Sequence, residues 1–401
     1  MQPVHTAPAP ADATETPRAR VRAALAHRQP ARVPFSWQFC ATPEMQQTLE
    51  AELAARGRSW NALQAATEDI GWIGPAYCGP AQFAGGPWHV FGIGWKDVNY
   101  GAGTYREVET YPLAGVDSLQ ALDDYPWPSP DWYDYDGLGR QLAAADPNKA
   151  LKFGAFNPFE TLCWMTGLEE VLCNCCARPE LVVRGLEHIV EFYEQRTIRC
   201  LERIGHGVEI VFFFDDLGSQ NGPLMSPAMY GELLKPFHRR LFARAHQLAP
   251  NAKVMMHSDG SVFALLDDLS DAGLDVLEAV QVDCADMEPR HLKDAFGDRL
   301  SFHGAISVQQ LLPKADAATV ERTCRELVDV LGAGGGYIAA PSHAIQMGTP
   351  VANVLAMLRG VLGREDYAAA WEAASAAPKP AGASADGPEP AEAGTTHRPT
   401  P

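Results

Sequence analysis

The chain is short of positive charge: 32 lysines and arginines stand against 50 aspartates and glutamates, a formal net charge of −18 at pH 7. A surface of that sign repels nucleic-acid phosphates and anionic lipid headgroups, which excludes both as partners and leaves a small molecule as the ligand. Also missing is any run of eighteen apolar residues able to span a bilayer, and the opening MQPVHTAPAPADATETPRARV lacks the apolar core of a secretory signal. The reading is of a cytoplasmic protein. Cysteine is sparse, nine in 401 residues with no regular spacing, which suits reduced thiols and not a disulfide framework. Cys173, Cys175 and Cys176 in VLCNCCARPE fall near the end of a predicted helix, where positions two apart do not face each other. They are expected as buried or partly buried structural thiols rather than a metal site.

What is present is apolar in the right amount: 46% hydrophobic residues supply a sizeable core. No spacer and no internal repeat divides residues 18–374, so a single domain is expected there. Residues 1–17 and 375–401 are rich in Ala, Pro, Gly and Thr with little to bury, and are expected to be disordered tails.

Within the domain, short apolar stretches alternate with amphipathic ones. LKFGAF (151–156), VEIVFFFDD (208–216), KVMMHSDG (253–260), DVLEAVQ (275–281), LSFHGAI (300–306) and GYIAAPSH (336–343) are each followed by a helical segment. Nearly all-apolar strands separated by helices imply a parallel sheet covered on its outer face. Their number and the chain length predict an α/β fold of the (β/α)8, TIM-barrel type. Residues 85–135 break the rhythm and are expected as a β-hairpin and an aromatic loop inserted near the barrel mouth. Their Trp88, Trp95, Trp127, Trp132 and Tyr133 fit either a planar ligand or the packing of a long loop. The glycine run GAGGGY (332–337) precedes a strand instead of opening a helix, so it is a tight turn at the barrel's far end and not a phosphate cradle.

In such a barrel, residues just past each strand's C-terminal end share one mouth. Those residues here are Asn157 and Glu160; Asp215, Asp216 and Gln220; His257 and Asp259; Glu278 and Gln281; His303; and Ser342 and His343. Alternation sends the side chains of His257 and Asp259 the same way, as a metal-binding or acid–base pair, unless Asp259 merely caps the next helix. Asp215 and Asp216 form a carboxylate pair able to perturb each other's titration, or to close an Asx turn, and the sequence does not rank them. His303 follows only three strand residues and sits either in the wall or in the mouth.

These residues carry a family resemblance. VPFSW, NPFETLCWM, ARPELVVRGLEHIVEF, VFFFDDLGSQNGPLMSP, HSDG, FHGAISVQQLL and GGGYIAAPSHAIQMGTPVANVLAM, in this order over roughly residues 30–365, resemble the uroporphyrinogen decarboxylase superfamily. That superfamily includes the haem-pathway decarboxylase and zinc-dependent methyltransferases that use methylated corrinoid proteins. The resemblance implies a (β/α)8 barrel with its site at the C-terminal mouth. The departures are informative. The decarboxylase's arginine-rich loop is matched here by WQFCATPEM, which has no arginine, and Trp164 stands where the decarboxylase has a tyrosine. His343 matches its C-terminal histidine. Against the methyltransferases, His257 matches the zinc-binding histidine, while Asp259 and His343 replace the two cysteines. The surviving ligand set is harder, two imidazoles and a carboxylate with Glu278 as a fourth donor. It suits one divalent metal, zinc first, and an oxygen substrate.

Three functions are therefore expected in order. The first is a decarboxylase-like carbon–carbon lyase on a carboxylated small molecule other than uroporphyrinogen, needing no metal. Its catalytic residues are His257, Asp259, His343, Asp215 and Asp216, with Asn157, Glu160, Trp164, Gln220, Gln281 and His303 around the substrate. The second is a metal-dependent methyltransferase or demethylase that works with a separate corrinoid protein. The third is a non-catalytic ligand-binding barrel. Related enzymes are often homodimers, and the resemblance extends that expectation to this chain.

Overall fold

Strand formation here follows from runs of β-branched and aromatic residues too short for a helix and apolar on both faces. The computed structural model describes residues 15–84, 87–101 and 103–375. Seven such runs pair in parallel into one sheet: β1 (Ile70–Trp72), β2 (Ala150–Phe156), β3 (Ile210–Phe214), β4 (Lys253–His257), β5 (Val276–Val280), β6 (Ser301–Ile306) and β7 (Tyr337–Pro341). Their spatial order is their order in the chain, as in a (β/α) barrel.

The eighth stave is the VPFS stretch, residues 33–36, which bridges Phe35 to Ala339 of β7. On that side the bonding is main chain: the Ser36 amide donates to Ala339 O at 3.0 Å and the Ala339 amide to Pro34 O at 2.9 Å. Towards β1 one main-chain bond runs from the Asp69 amide to Phe35 O at 3.0 Å, and side chains add to it. The Phe35 amide donates to Asp69 Oδ2 at 2.9 Å and the Trp37 amide to Glu68 Oε2 at 2.8 Å. The barrel thus closes through one main-chain bond and the carboxylates of Asp69 and Glu68.

Alternation along the strands divides the core in two. Ile70, Ala150, Ile210, Phe212, Phe214, Met255, Val276 and Ile338 fill the barrel interior, and Val21 and Leu25 of the helix Pro17–Leu25 plug its bottom. The alternate residues, Val211, Phe213, Val254, Met256, Leu277, Phe302 and Tyr337 among them, pack outward against the helices. By the same alternation Lys152, His257, Glu278 and His303 point inward, so the upper half of the interior is polar. Gly334, Gly335 and Gly336 all take positive φ in a turn below β7, and a Cβ on Gly335 would stand 2.6 Å from the Arg28 backbone. The glycine run is a far-end turn.

The insertion does contain a hairpin, Gly94–Asn99 paired with Thr104–Thr110. Its aromatics mostly pack on neighbours: Trp95 on Trp164 at 5.2 Å, Trp127 on His188 at 4.7 Å, Trp132 on Phe83 at 5.6 Å and Tyr133 on Tyr77 at 5.5 Å. The cysteine reading needs correction. In the helix Leu168–Ala177 only Val171, Asn174 and Cys175 face the core, and the 3.6-residue turn leaves Cys173 and Cys176 exposed. The expected tails, 1–17 and 375–401, lie outside the described residues except at their inner edges. There Thr16 caps and Pro17 begins the first helix, and Ser375 bridges Arg58. Among the described residues no helix is long and apolar enough to cross a membrane.

Asp69 also pairs with Arg20 at 2.8 Å and Arg32 at 3.4 Å, all three largely buried. Asp69→Ala is expected to lower unfolding stability by about 3 kcal/mol in urea titrations. Arg56→Ala, which breaks an exposed pair with Glu52, should cost less than about 1 kcal/mol.

Candidate functional site

Two loops cross at the mouth, and the crossing requires glycine on both. A Cβ on Gly218 would meet Asp259 O at 2.6 Å, and one on Gly260, whose φ is +84°, would meet the Gly218 backbone at 2.5 Å. The loop after β3 therefore lies directly on the loop after β4. Hydrogen bonds fix the contact: Leu217 amide to Ser258 Oγ at 2.9 Å, Ser261 amide to Ser219 O at 2.8 Å, and Asp259 amide to Asp216 Oδ1 at 2.8 Å.

This brings Asp216 to the His257 and Asp259 pair. His257 Nε2 stands 3.5 Å from Asp216 Oδ1 and 3.4 Å from Asp259 Oδ1. One donor atom from each of the three lies within 4.8 Å of the others, a spacing able to hold one metal ion. Supporting bonds run outward from them. Ladder register sets Glu278 opposite His257, and Glu278 Oε2 meets His257 Nδ1 at 2.6 Å. Glu278 is thus behind the ring, where it orients the imidazole and leaves Nε2 for the mouth. Gln281 Nε2 donates to Asp259 Oδ1 at 2.5 Å while its Oε1 accepts from the Gly260 amide at 2.9 Å. Asp259 Oδ2 and His343 Nε2 are buried without a hydrogen-bond partner, 3.9 Å apart. Such orphaned donor atoms beside a carboxylate–imidazole cluster fit a divalent cation, with Asp216, His257 and Asp259 as the ligand set and His343 beside it.

Electrostatics agree with a cation site. Burial pushes His257 down, yet Glu278, Asp259 and Asp216 together raise it to about 10. Burial, then Asp216, raises Asp259 to about 8. Although burial opposes it, His257 holds Glu278 below the usual carboxylate range. Burial and the neighbouring His257 depress His343 to about 4, so its ring is neutral at pH 7. Burial, then Asp216, pushes the Glu160 carboxyl well above the usual carboxylate range.

Asp215 and Asp216 now separate. Asp215 is fully buried and faces the wall, accepting from the Glu160 amide at 2.9 Å and meeting His238 Nε2 at 2.7 Å. His238 in turn contacts Tyr230 OH at 3.0 Å. Asn157 is tied to Tyr193 OH at 2.9 Å and to Glu160 at 3.2 Å. Trp164 lies under the hairpin against Trp95, and Gln220 holds Asp283 O at 2.6 Å on the loop's exposed side. His303 is in the wall, its Nδ1 3.7 Å from Glu278 Oε1. Sequence reasoning missed Phe39, which stacks on His343 and stands edge-on to His257, both at 5.1 Å. It also missed Lys152, whose signal was a lone cation in an apolar strand.

Fold and site together define a (β/α)-barrel of the kind that places its chemistry at the C-terminal mouth. The family model for uroporphyrinogen decarboxylase matches residues 90–362, and the chain belongs to that family. Among solved structures, a methyltransferase from Methanosarcina mazei superposes with a TM-score of 0.62 at 17% identity, covering 86% of this chain and 98% of that one. The YdhT protein from Bacillus subtilis matches at a TM-score of 0.38 and 10% identity over 82% of this chain and 90% of its own. Xylanase 10B from Thermotoga maritima matches at 0.35 and 13% over 53% and 69%. At such identities the first likeness is one of fold, and the other two are too distant to support an argument. No curated protein matches the chain.

Asp215→Ala strands His238 and the Glu160 amide in the core and is expected to cost about 3 kcal/mol, read as a lower melting temperature. Asp216→Asn keeps the bond from the Asp259 amide and removes a like charge, so its melting temperature should stay at or above that of the parent.

Proposed function

We propose that the chain is a metal-dependent methyltransferase, taking a methyl group from an oxygen of a small molecule and passing it to a separate corrinoid protein. The observation that carries this reading is the triangle of Asp216, His257 and Asp259, backed by Glu278 on the far nitrogen of the imidazole. A divalent cation held there would polarise a methoxy oxygen and stabilise the alkoxide as the methyl leaves. The residues themselves supply the rest. Glu278 keeps His257 Nδ1 engaged so that Nε2 faces the mouth, Gln281 sets the rotation of Asp259, and Phe39 screens both histidine rings from water. Glu160, buried and held by Asn157, is raised by burial and Asp216 and is the carboxyl that would return a proton to the departing oxygen.

The fold neighbour described as a methyltransferase supports the same reading. The lyase alternative fits the charge less well. Asp216, Asp259 and Glu278 surround the His257 imidazole and take up its positive charge, so the triangle has no spare cation to hold a substrate carboxylate at the reacting point.

Metal binding is the first test. Calorimetry with Zn²⁺ and Mn²⁺ is expected to show one site per chain that is lost in an Asp216→Ala/His257→Ala double variant. His257, raised to about 10, and Asp259, raised to about 8, carry protons at pH 7 that a cation must displace. Affinity should therefore rise with pH between 6 and 8, with about one to two protons released per ion, read from the dependence of binding heat on buffer ionisation. Absence of a site, or carbon dioxide release from carboxylated substrates by metal-free protein, would replace this reading with the lyase.

A further inference from the structure

Lys152 and Lys253 are the two lysines in the seven barrel strands, and they are treated differently. Lys253, at the bottom, pairs with Asp275 at 3.1 Å. Lys152 points into the barrel, is 8% exposed and, among the described residues, has no carboxylate in ion-pair contact. Its ammonium donates one hydrogen bond, to Gln38 Oε1 on the loop above the eighth stave. An ammonium has three donors, so two are left unassigned, and burying such a group without a counter-ion is costly. The amine lies over the Phe212 ring at 4.4 Å and beside Trp72 at 5.6 Å. Trp72 follows Ile70 on the inner face at the top of β1 and is 39% exposed there. Glu278, an interior carboxylate whose charge Lys152 feels, already holds His257. Burial lowers Lys152 to about 8, against the pull of Glu278 and Glu68, which leaves it mostly cationic at pH 7.

We infer that Lys152 binds the anionic group of the ligand, a carboxylate attached to a planar or aromatic body that lies against Trp72. Resting on the methyl-transfer reading, this makes the substrate a methoxylated acid, anchored by its carboxylate at Lys152 and reacting at the Asp216, His257 and Asp259 triangle. The anchor and the reacting point are separate, which removes the conflict between an anionic ligand and the acid-rich triangle.

Benzoate and benzamide have nearly the same shape and differ in charge, so they isolate the anchor. Calorimetry on the protein as purified should show benzoate binding about tenfold more tightly than benzamide, a preference abolished by Lys152→Met and kept by Lys152→Arg. Wild-type protein that binds both alike, or neither, overturns the inference, as does a Lys152→Met variant that keeps the preference through a carboxylate–metal contact. Should Lys152→Met fail to fold, reductive methylation of the wild type followed by peptide mass spectrometry reads the same point. Benzoate, and not benzamide, should slow modification of Lys152, and equal rates overturn the assignment. Metal titration is read independently: a Lys152-dependent benzoate preference without a metal site sinks the methyl-transfer reading alone, and a metal site without that preference sinks the anchor alone.

Discussion

The contact of 2.6 Å between Nδ1 of His257 and Oε2 of Glu278 is the constraint around which the mouth is arranged. It joins two adjacent parallel strands through residues that ladder register sets opposite each other. Because Glu278 is fully buried, its charge needs a partner, and the imidazole is the one within hydrogen-bonding distance. The ring is thereby fixed with its other nitrogen toward the loops after β3 and β4. Without Glu278 the ring would be free to turn, and Asp216 and Asp259 would face each other with no cation between them.

Like charges gathered in a buried place need a physical reason to persist. Here the crossing of Gly218 and Gly260 forces the two acid-bearing loops together, and the Asp259 amide and the Gln281 amide group satisfy one oxygen on each acid. Beside that crossing, Asp259 Oδ2 and His343 Nε2 remain without a hydrogen-bond partner. A protein interior leaves few polar atoms in that condition, and those it leaves tend to meet a ligand. The same logic extends to Lys152, a buried cation with donors to spare on β2, beside the strand that leads to Asp216.

Much of the barrel was legible because its strands are short, apolar on both faces and separated by helices, a pattern that few folds produce. The helix Pro179–Ile204 and the strands β2 to β7 follow their hydrophobic runs. The eighth stave was harder to see: VPFS is a few residues long, contains proline and is held beside β1 largely by the side chains of Glu68 and Asp69, which hydrophobic periodicity does not register. The site was partly legible for a related reason. Residues after strand ends could be gathered into one mouth, but direction within the mouth depends on rotamers and loop crossings. Asp215 and Asp216 are neighbours in sequence, yet one meets His238 in the wall and the other meets His257. Glu278, expected beside the other ligands, stands behind the imidazole because its strand places it there.

By itself the sequence determined the class of fold, the acid-rich and cation-poor character of the mouth, and the candidacy of His257 and Asp259, since alternation along a strand is a local property. Only the tertiary structure decided which carboxylates converge. Asp216 joins the cluster through a backbone crossing between segments 43 residues apart, and Lys152 reaches Gln38 across 114 residues. Such contacts depend on how the barrel closes, and closure is set by the packing of all eight staves at once rather than by the pattern within any one of them.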